Sequence, residues 1–243
     1  MSLTTQSWNS MSRSRRTSLV AGLLFFATFI TSIPAVILYG PILGDADFIL
    51  GSASELRLTI GAVLELLLIM ANIGTALVLY PLLRRQSEVA ALGWVSARIM
   101  ESAFIALGVI SLLAMLTLRQ DATADSATLA AIGDSLIAIH DWTFRIGPGL
   151  VVGIGNGLLL GYLMFKSGLV PRGMAMLGLV GGPLLFLSGV MVVLGILDPS
   201  SIIKAVMTIP EILWEASLTL YLIFKGFRPS PVLEGYDRTI DAS

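Results

Sequence analysis

Residues 58–83, LTIGAVLELLLIMANIGTALVLYPLL, contain only one charged side chain, Glu65. About 20 consecutive apolar residues are enough to cross the hydrocarbon core of a bilayer. Because lipid offers backbone groups no hydrogen-bond partners, a spanning segment of this kind folds as a helix. Five further segments have the same character: Ser18–Leu43, Val89–Leu118, Arg145–Phe165, Gly173–Leu197 and Ile203–Phe224. The sequence therefore predicts an all-α integral membrane protein, a bundle of six transmembrane helices.

The composition agrees with this prediction and removes several classes of site. Hydrophobic residues make up 56% of the 243 residues, and charged residues make up 13%, against about a quarter in soluble proteins. The net charge of −1 gives no basis for binding nucleic acid. The chain has no cysteine and a single histidine, His140, which excludes thiolate sites, iron–sulfur clusters and a multi-histidine metal site within one chain. HExxH, GxSxG and Walker A motifs are also absent. Whether the protein binds a cofactor is unknown from the sequence.

Charge divides the connections between helices into two groups. One group is almost entirely basic: Arg13, Arg15, Arg16, Arg84, Arg85, Lys166, Arg172, Lys225 and Arg228. The other is mostly acidic: Asp45, Asp47, Glu55, Arg57, Arg119, Asp121, Asp125, Asp134, Asp198 and Lys204. Basic residues mark the cytoplasmic side, so we expect both termini in the cytoplasm. The predicted divisions are a cytoplasmic tail over residues 1–17, the helical domain over 18–228 and a flexible cytoplasmic tail over 229–243.

The first apolar segment is preceded by arginines and could resemble a signal peptide. Its apolar run begins at Leu19 and continues past Leu38, which is longer than the roughly 7–15 apolar residues of a signal peptide. We therefore interpret it as the first membrane helix. Trp142, Trp94 and Tyr39 lie near predicted membrane boundaries and are interpreted as interfacial anchors.

The connection before the fourth helix contains an amphipathic pattern over Ala127–Trp142. Its apolar residues recur at helical spacing: Leu129, Ile132, Leu136 and Ile139. This pattern predicts an additional amphipathic helix, which either lies at the outer interface or extends the fourth transmembrane helix.

Glycines on the fourth helix recur every four residues, at Gly149, Gly153, Gly157 and Gly161. Residues at this spacing share one helix face, and small residues let two helix backbones approach closely. Gly178 and Gly182 have the same spacing on the fifth helix. We expect either close packing of these two helices or a homodimer seam through Gly149, Gly153 and Gly157. A face that lines a channel or holds a cofactor is the functional alternative.

Charged residues within the apolar segments are the strongest functional signal, because ionisable groups in a membrane interior are costly unless paired or hydrated. At about 1.5 Å per residue, Arg98 and Glu215 each lie about 15 Å from the cytoplasmic end. Glu101 and Glu211 are each about one turn further on the same faces. The matching depths predict that the third and sixth helices face each other, with a bidentate bond between Arg98 and Glu215 and with Glu101 opposite Glu211.

This layer carries one arginine against three carboxylates. A dry site cannot hold two excess negative charges, so either carboxylates carry protons, or a cation binds, or water enters. A purely structural arginine–glutamate clasp with protonated neighbours is the alternative to a binding site.

A second polar group lies nearer the outer side. Glu65 and Asn72 are seven residues apart on one face of the second helix, and His140 begins the fourth. Asp141 and Arg145 have the i, i+4 spacing of a helical ion pair. His140 could accept a proton near neutral pH.

Several short motifs resemble a known family. They are Leu79-Tyr80-Pro81, Ala97-Arg98-Ile99-Met100-Glu101, His140-Asp141-Trp142-Thr143-Phe144, Gly147-Pro148-Gly149, Gly155-Asn156-Gly157, Ser167-Gly168-Leu169-Val170-Pro171-Arg172 and Pro210-Glu211-Ile212-Leu213-Trp214-Glu215. In this combination, from about Arg15 to Arg228, the chain resembles the bacterial membrane family called domain of unknown function 4386. The resemblance implies a bacterial multi-pass protein, hence the inner (plasma) membrane, and it implies no reaction.

Three functional hypotheses follow. The first is a binding or transport-like protein that holds a small cation, a proton or a polar ligand. Its candidate ligand-binding residues are Arg98, Glu101, Glu211, Glu215, Glu65, His140, Asp141, Arg145, Asn72 and Asn156. The second is a membrane enzyme that uses carboxylates and His140 in acid–base or metal chemistry on an apolar or lipid substrate. The third is a structural or dimeric scaffold. Membrane lipids are expected partners in all three.

Overall fold

A computed structural model describes residues 8–44, 48–51, 54–120 and 125–237. Three residues assigned above to the outer connections, Asp45, Asp47 and Asp121, lie outside the described residues.

The described chain forms six long helices and, within those residues, no β-strand. The helices are α1 (Arg13–Leu43), α2 (Glu55–Leu83), α3 (Glu88–Gln120), α4 (Ser126–Ser167), α5 (Arg172–Val193) and α6 (Ile202–Phe224). All six are long and apolar enough to cross a membrane. The predicted fold class is therefore confirmed.

The six helices form a closed ring. Each helix packs against the next along the chain, and α1 also packs against α6. Large apolar side chains cover the outside of the ring, including Ile37, Met70, Leu77 and Phe224, each of which is more than half exposed. Lipid is the medium that suits such a surface, because an apolar exterior of this extent is unfavourable in water.

Local residues set the helix ends. Ser12, Asp125 and Ser201 each precede a helix and accept hydrogen bonds from its first backbone N–H groups. The N–H of Thr128 and then its hydroxyl bind the Asp125 carboxylate, and these bonds lower the pKa of that group. Gly195 adopts φ +69° after α5, a left-handed conformation that suits glycine. The helix predicted to reach Leu197 therefore ends at Val193.

The amphipathic segment forms the first part of α4. It therefore extends the fourth transmembrane helix and is not a separate helix at the outer interface. Residues Ser126–Ile146 are α-helical, Gly147–Val151 and Gly153–Leu160 are π-helical, and the α-helix resumes at Gly161–Ser167. The π-helical turns do not follow from the spacing of apolar residues. Such turns are rare and frequently occur at functional sites. The glycines of this segment predicted close helix packing.

The glycines of α4 pack against α5 in the same chain. A Cβ added at Gly153 would lie 2.6 Å from the carbonyl oxygen of Gly182. Further contacts of this kind join Gly157 to Gly182, Gly161 to Gly178 and Gly149 to Gly189. Close packing of the fourth and fifth helices is therefore what the structure shows. A homodimer through Gly149, Gly153 and Gly157 would require α5 to leave this face.

The C-terminal segment differs from the predicted flexible tail. Residues 229–237 lie across the end of the ring where the termini meet, and residues 238–243 lie outside the described residues. Val232 and Tyr236 are buried against the core, and Asp237 accepts a 2.7 Å bond from the backbone N–H of Ser14. The polar composition of the segment was a poor guide, because these contacts involve residues far apart in the sequence.

Gly182→Ala tests the seam between α4 and α5. The new methyl group would meet the backbone of Gly157, and atoms of the backbone cannot move aside as a flexible side chain can. We expect a loss of about 1–3 kcal/mol in stability and a lower midpoint of thermal unfolding in detergent. Gly173→Ala on the same helix is the matched control, since nothing lies within 4 Å of its added Cβ. Equal midpoints for the two variants would contradict this account of the seam.

Candidate functional site

All six helices line a cavity of about 310 Å³ in the middle of the bundle. Its charged residues are Arg98, Glu101, Glu211 and Glu215, and its amide is Asn72. Five of the ten predicted ligand-binding residues therefore lie around one cavity. Side chains of both α3 and α6 line this cavity.

Arg98, Glu101 and Asn72 form a closed hydrogen-bonded triangle. Arg98 donates from Nη1 to Glu101 Oε2 at 2.8 Å and from Nη2 to Asn72 Oδ1 at 2.5 Å. Asn72 Nδ2 donates to Glu101 Oε1 at 3.1 Å. All three side chains are buried. The single positive charge of the layer is thus paired with the carboxylate one turn away on its own helix.

The predicted bond between Arg98 and Glu215 is wrong. Among the described residues, the ion-pair partner of Arg98 is Glu101, and the hydrogen-bond partner of Glu215 is Asn156 of α4, at 2.5 Å. Counting residues gives the depth of a side chain, but it does not give the direction in which that side chain points around the helix axis. Asn72 was likewise grouped with Glu65 near the outer side, whereas it completes the arginine triangle.

Asn156 connects Glu215 to two buried tryptophans. Its Oδ1 accepts a 2.9 Å hydrogen bond from Trp94 Nε1, and its backbone carbonyl oxygen accepts a 2.9 Å hydrogen bond from Trp214 Nε1. Asn156 lies in the π-helical part of α4. The interpretation of Trp94 as an interfacial anchor is wrong, because its side chain is fully buried and its indole N–H is used inside the bundle.

Glu211 has no hydrogen-bond partner for either carboxylate oxygen among the described residues, although both oxygens are buried. Glycines make room for it. A Cβ on Gly157 would lie 2.5 Å from Glu211 Oε2, and a Cβ on Gly181 would lie 2.6 Å from the backbone nitrogen of Glu211. The close approach of α4, α5 and α6 therefore places an unsatisfied carboxylate at the cavity wall.

The polar residues predicted near the outer side belong to two groups, Glu65 with its partner Tyr39, and His140 with Asp141 and Arg145 at a second cavity. Glu65 is buried and accepts a 3.1 Å bond from the hydroxyl of Tyr39, so Tyr39 is a buried partner and not the interfacial anchor that was expected. His140 contacts the rings of Tyr39 and Phe144, with centroids 5.5 and 4.8 Å apart.

His140, Asp141 and Arg145 line a second cavity of about 220 Å³. The predicted ion pair is present, with Arg145 Nη2 donating to Asp141 Oδ2 at 3.2 Å. Trp142 is 40% exposed and lies under the Arg145 guanidinium at 5.0 Å, as an interfacial residue would.

The sequence analysis missed several cavity residues. Thr28 and Ser32 of α1 and Thr208 of α6 line the central cavity, and Lys204 lines the outer one. Thr28 and Ser32 are spaced i, i+4 in an otherwise apolar helix. That spacing, which puts both hydroxyls on one face, was the available signal.

Within the described residues, no group of three or more histidine, aspartate or glutamate side chains is arranged to hold a metal ion. Glu101 and Glu215 are engaged by amide side chains on different helices. Glu211 is therefore the acidic residue at the central cavity whose two carboxylate oxygens both lack a hydrogen-bond partner among the described residues.

Residues 20–226 match the family model described as Domain of unknown function (DUF4386), and the chain belongs to this family. The resemblance noted from the short motifs is thereby confirmed. No match to the chain was found among curated proteins or among solved structures. The family description names no reaction.

Arg98→Met tests the hydrogen-bonded triangle. It removes the cation and leaves Glu101 as an uncompensated buried charge, which costs on the order of 3–5 kcal/mol. Arg98→Met combined with Glu101→Gln removes both charges, and we expect it to recover most of that loss. Thermal unfolding of the two single variants and the double variant measures the coupling. Additive losses would show that the two side chains do not stabilise each other.

Proposed function

We propose that this integral membrane protein binds a small organic cation with N–H donors, such as a protonated amine, at Glu211 in the central cavity, in a transport-like role. The observation that carries the proposal is that both buried oxygens of Glu211 have no partner among the described residues. Burying such a group is costly unless a donor or a cation meets it. A protonated amine supplies both.

Charge supports a cationic ligand over an anionic or neutral one. The only arginine that lines the cavity, Arg98, is paired with Glu101. Glu211 and Glu215 then face the cavity without a basic partner within salt-bridge distance among the described residues. Coulombic attraction to a cation is stronger here than in water, because the effective dielectric constant is lower.

Size and access also favour an organic ligand. A cavity of about 310 Å³ falls at the small end of the range of pockets that hold small molecules. Val36 of α1 and Ile212 of α6 both line the cavity and are each more than half exposed on the outside of the ring. The space between these two helices is therefore the side from which a ligand would enter.

That same opening favours one alternative function. A carboxylate pair beside an apolar entrance could act as general acid and base on an apolar or lipid substrate. His140 lines the outer cavity and not the central one, so the carboxylates would have to perform this chemistry without it. Turnover of a bound substrate, instead of its simple retention, is the result that would favour an enzyme.

We also propose that the protein lies in a bacterial plasma membrane with both termini in the cytoplasm. The described end of the ring where the termini meet carries Arg13, Arg15, Arg16, Arg84, Arg85, Lys166, Arg172, Lys225 and Arg228. The excess of basic residues on short cytoplasmic connections supports this orientation.

Glu211→Gln tests the amine site. Purified wild-type protein is screened by thermal unfolding against a panel of small primary amines and the matched neutral alcohols. We expect an amine, but not its alcohol, to raise the midpoint, and we expect Glu211→Gln to weaken that amine about tenfold or more. Without ligand the variant should unfold at a midpoint close to that of wild type, because glutamine has nearly the same shape and volume as glutamate.

Glu88→Gln, an exposed position on α3, is the matched control and should retain the amine response. The proposal fails if Glu211→Gln responds like wild type, or if no amine stabilises the wild-type protein.

Single-cysteine variants test the orientation, and the chain offers a clean background because it has no cysteine. Ser200→Cys lies at the exposed connection between α5 and α6, and Gln86→Cys lies between α2 and α3 at the opposite end. A membrane-impermeant maleimide added to intact bacterial cells should label Ser200→Cys and spare Gln86→Cys until the cells are lysed. The reverse pattern would place the termini outside.

A further inference from the structure

We propose that the outer cavity binds the phosphate group of a membrane phospholipid through Lys204 and Arg145. This site is separate from the central cavity, and Glu211 does not contribute to it.

The position of Lys204 in the outer cavity favours an anion as the ligand. Lys204 lies in the first turn of α6, where the helix macrodipole presents its positive end and disfavours a cation. Arg145 adds a second positive charge to the same cavity. Among the described residues that line the cavity, the acidic side chain is Asp141, and it is bound to Arg145. Asp198, which precedes the cavity residue Pro199, also interacts electrostatically with Arg145. Both carboxylates therefore act on Arg145, and Lys204 is the cation of the lining that has no acidic partner among the described residues.

Lys204 has no ion pair and no side-chain hydrogen bond within the described residues. It is nevertheless half-buried, so bulk water does not fully solvate it. Arg145 uses one of its donors on Asp141, and a guanidinium has five. An oxyanion between the two side chains would accept bonds from both cations and offset their mutual repulsion.

His140 is an independent observation at the same cavity. Its side chain is 4% exposed, and its Nδ1 lies 3.9 Å from Asp141 Oδ1, too far for a hydrogen bond. Neither ring nitrogen has a hydrogen-bond partner among the described residues. A neutral imidazole carries one donor and one acceptor. A phosphate oxygen can accept a hydrogen bond from the donor nitrogen of His140. The ligand that pairs with the two cations would therefore also supply a partner for one of the two ring nitrogens.

The surroundings of the cavity indicate a lipid as the source of the phosphate. Val36 lines the cavity and is 56% exposed on the outside of the ring. Ile202 and Ile203, beside Lys204 in sequence, are also exposed. Trp142 next to Arg145 has the partial exposure of an interfacial residue. A phosphate at this level with acyl chains along the apolar face of α6 fits both features.

Native mass spectrometry of the purified full-length protein with added phosphatidylglycerol tests this proposal. Wild type should retain one tightly bound lipid, and Lys204→Gln should weaken that binding at least about fivefold. Lys225→Gln, an exposed lysine at the opposite end of the same helix, is the matched control and should bind like wild type. Diacylglycerol, which lacks the phosphate, should not occupy the site.

Inorganic phosphate distinguishes the two sources of the anion. If it stabilises wild type but not Lys204→Gln in thermal unfolding, while phosphatidylglycerol binding is the same in both proteins, the ligand is a soluble phosphate and the lipid assignment is wrong. If neither probe distinguishes Lys204→Gln from wild type, the site itself is refuted. Arg145→Gln provides a second variant with the same expected loss of lipid binding, should Lys204→Gln fail to fold.

Discussion

Polar groups in the interior of a bilayer cannot be satisfied by water, and this constraint explains the arrangement at the centre of the bundle. Arg98 and Glu101 neutralise each other, but two charged side chains alone leave several donors and acceptors unused. Asn72 solves this problem because a carboxamide contains both an acceptor and a donor. It accepts from Arg98 and donates to Glu101 without adding charge. Asn156 has the same function between Trp94 and Glu215.

Close helix packing is what brings these amides to their partners. The glycines of α4 and α5 remove the side chains that would hold the two backbones apart. Gly157 also leaves the space that Glu211 occupies. Packing and site are therefore one feature, because a larger residue at this position would both separate the helices and displace the carboxylate. In the triangle of Asn72, Arg98 and Glu101, Arg98 Nε is the side-chain atom that has no partner among the described residues, whereas both oxygens of Glu211 have none. Buried polar atoms usually have a partner, so the Glu211 carboxyl group is the stronger indication of a ligand.

The features that were predictable from the sequence depend only on the position of a residue along the chain and along its helix axis. Hydropathy gives the helices, and the rise per residue places Arg98, Glu101, Glu211 and Glu215 around one cavity. The direction of each side chain around its helix depends on the order of helices in the ring, which residue counting does not contain. For this reason the Arg98–Glu215 bond was wrong and Asn72 was assigned to the wrong group. Contacts between distant segments, such as those of Tyr236, were equally beyond a local pattern.

The polar stripe on α6 relates the two cavities to each other. Lys204 and Thr208 are followed at helical spacing by Glu211 and Glu215, and all four line one cavity or the other. Lys204 and Glu211 are seven residues apart, about 10 Å along the helix, and the sign of the charge reverses over that distance. A cation that approached the central cavity along the ring axis would first meet Lys204 and Arg145, which repel it. Ile212 lines the central cavity but not the outer one and is 52% exposed on the outside of the ring. A cation that enters between α1 and α6 at the level of Ile212 therefore reaches Glu211 without passing Lys204 and Arg145.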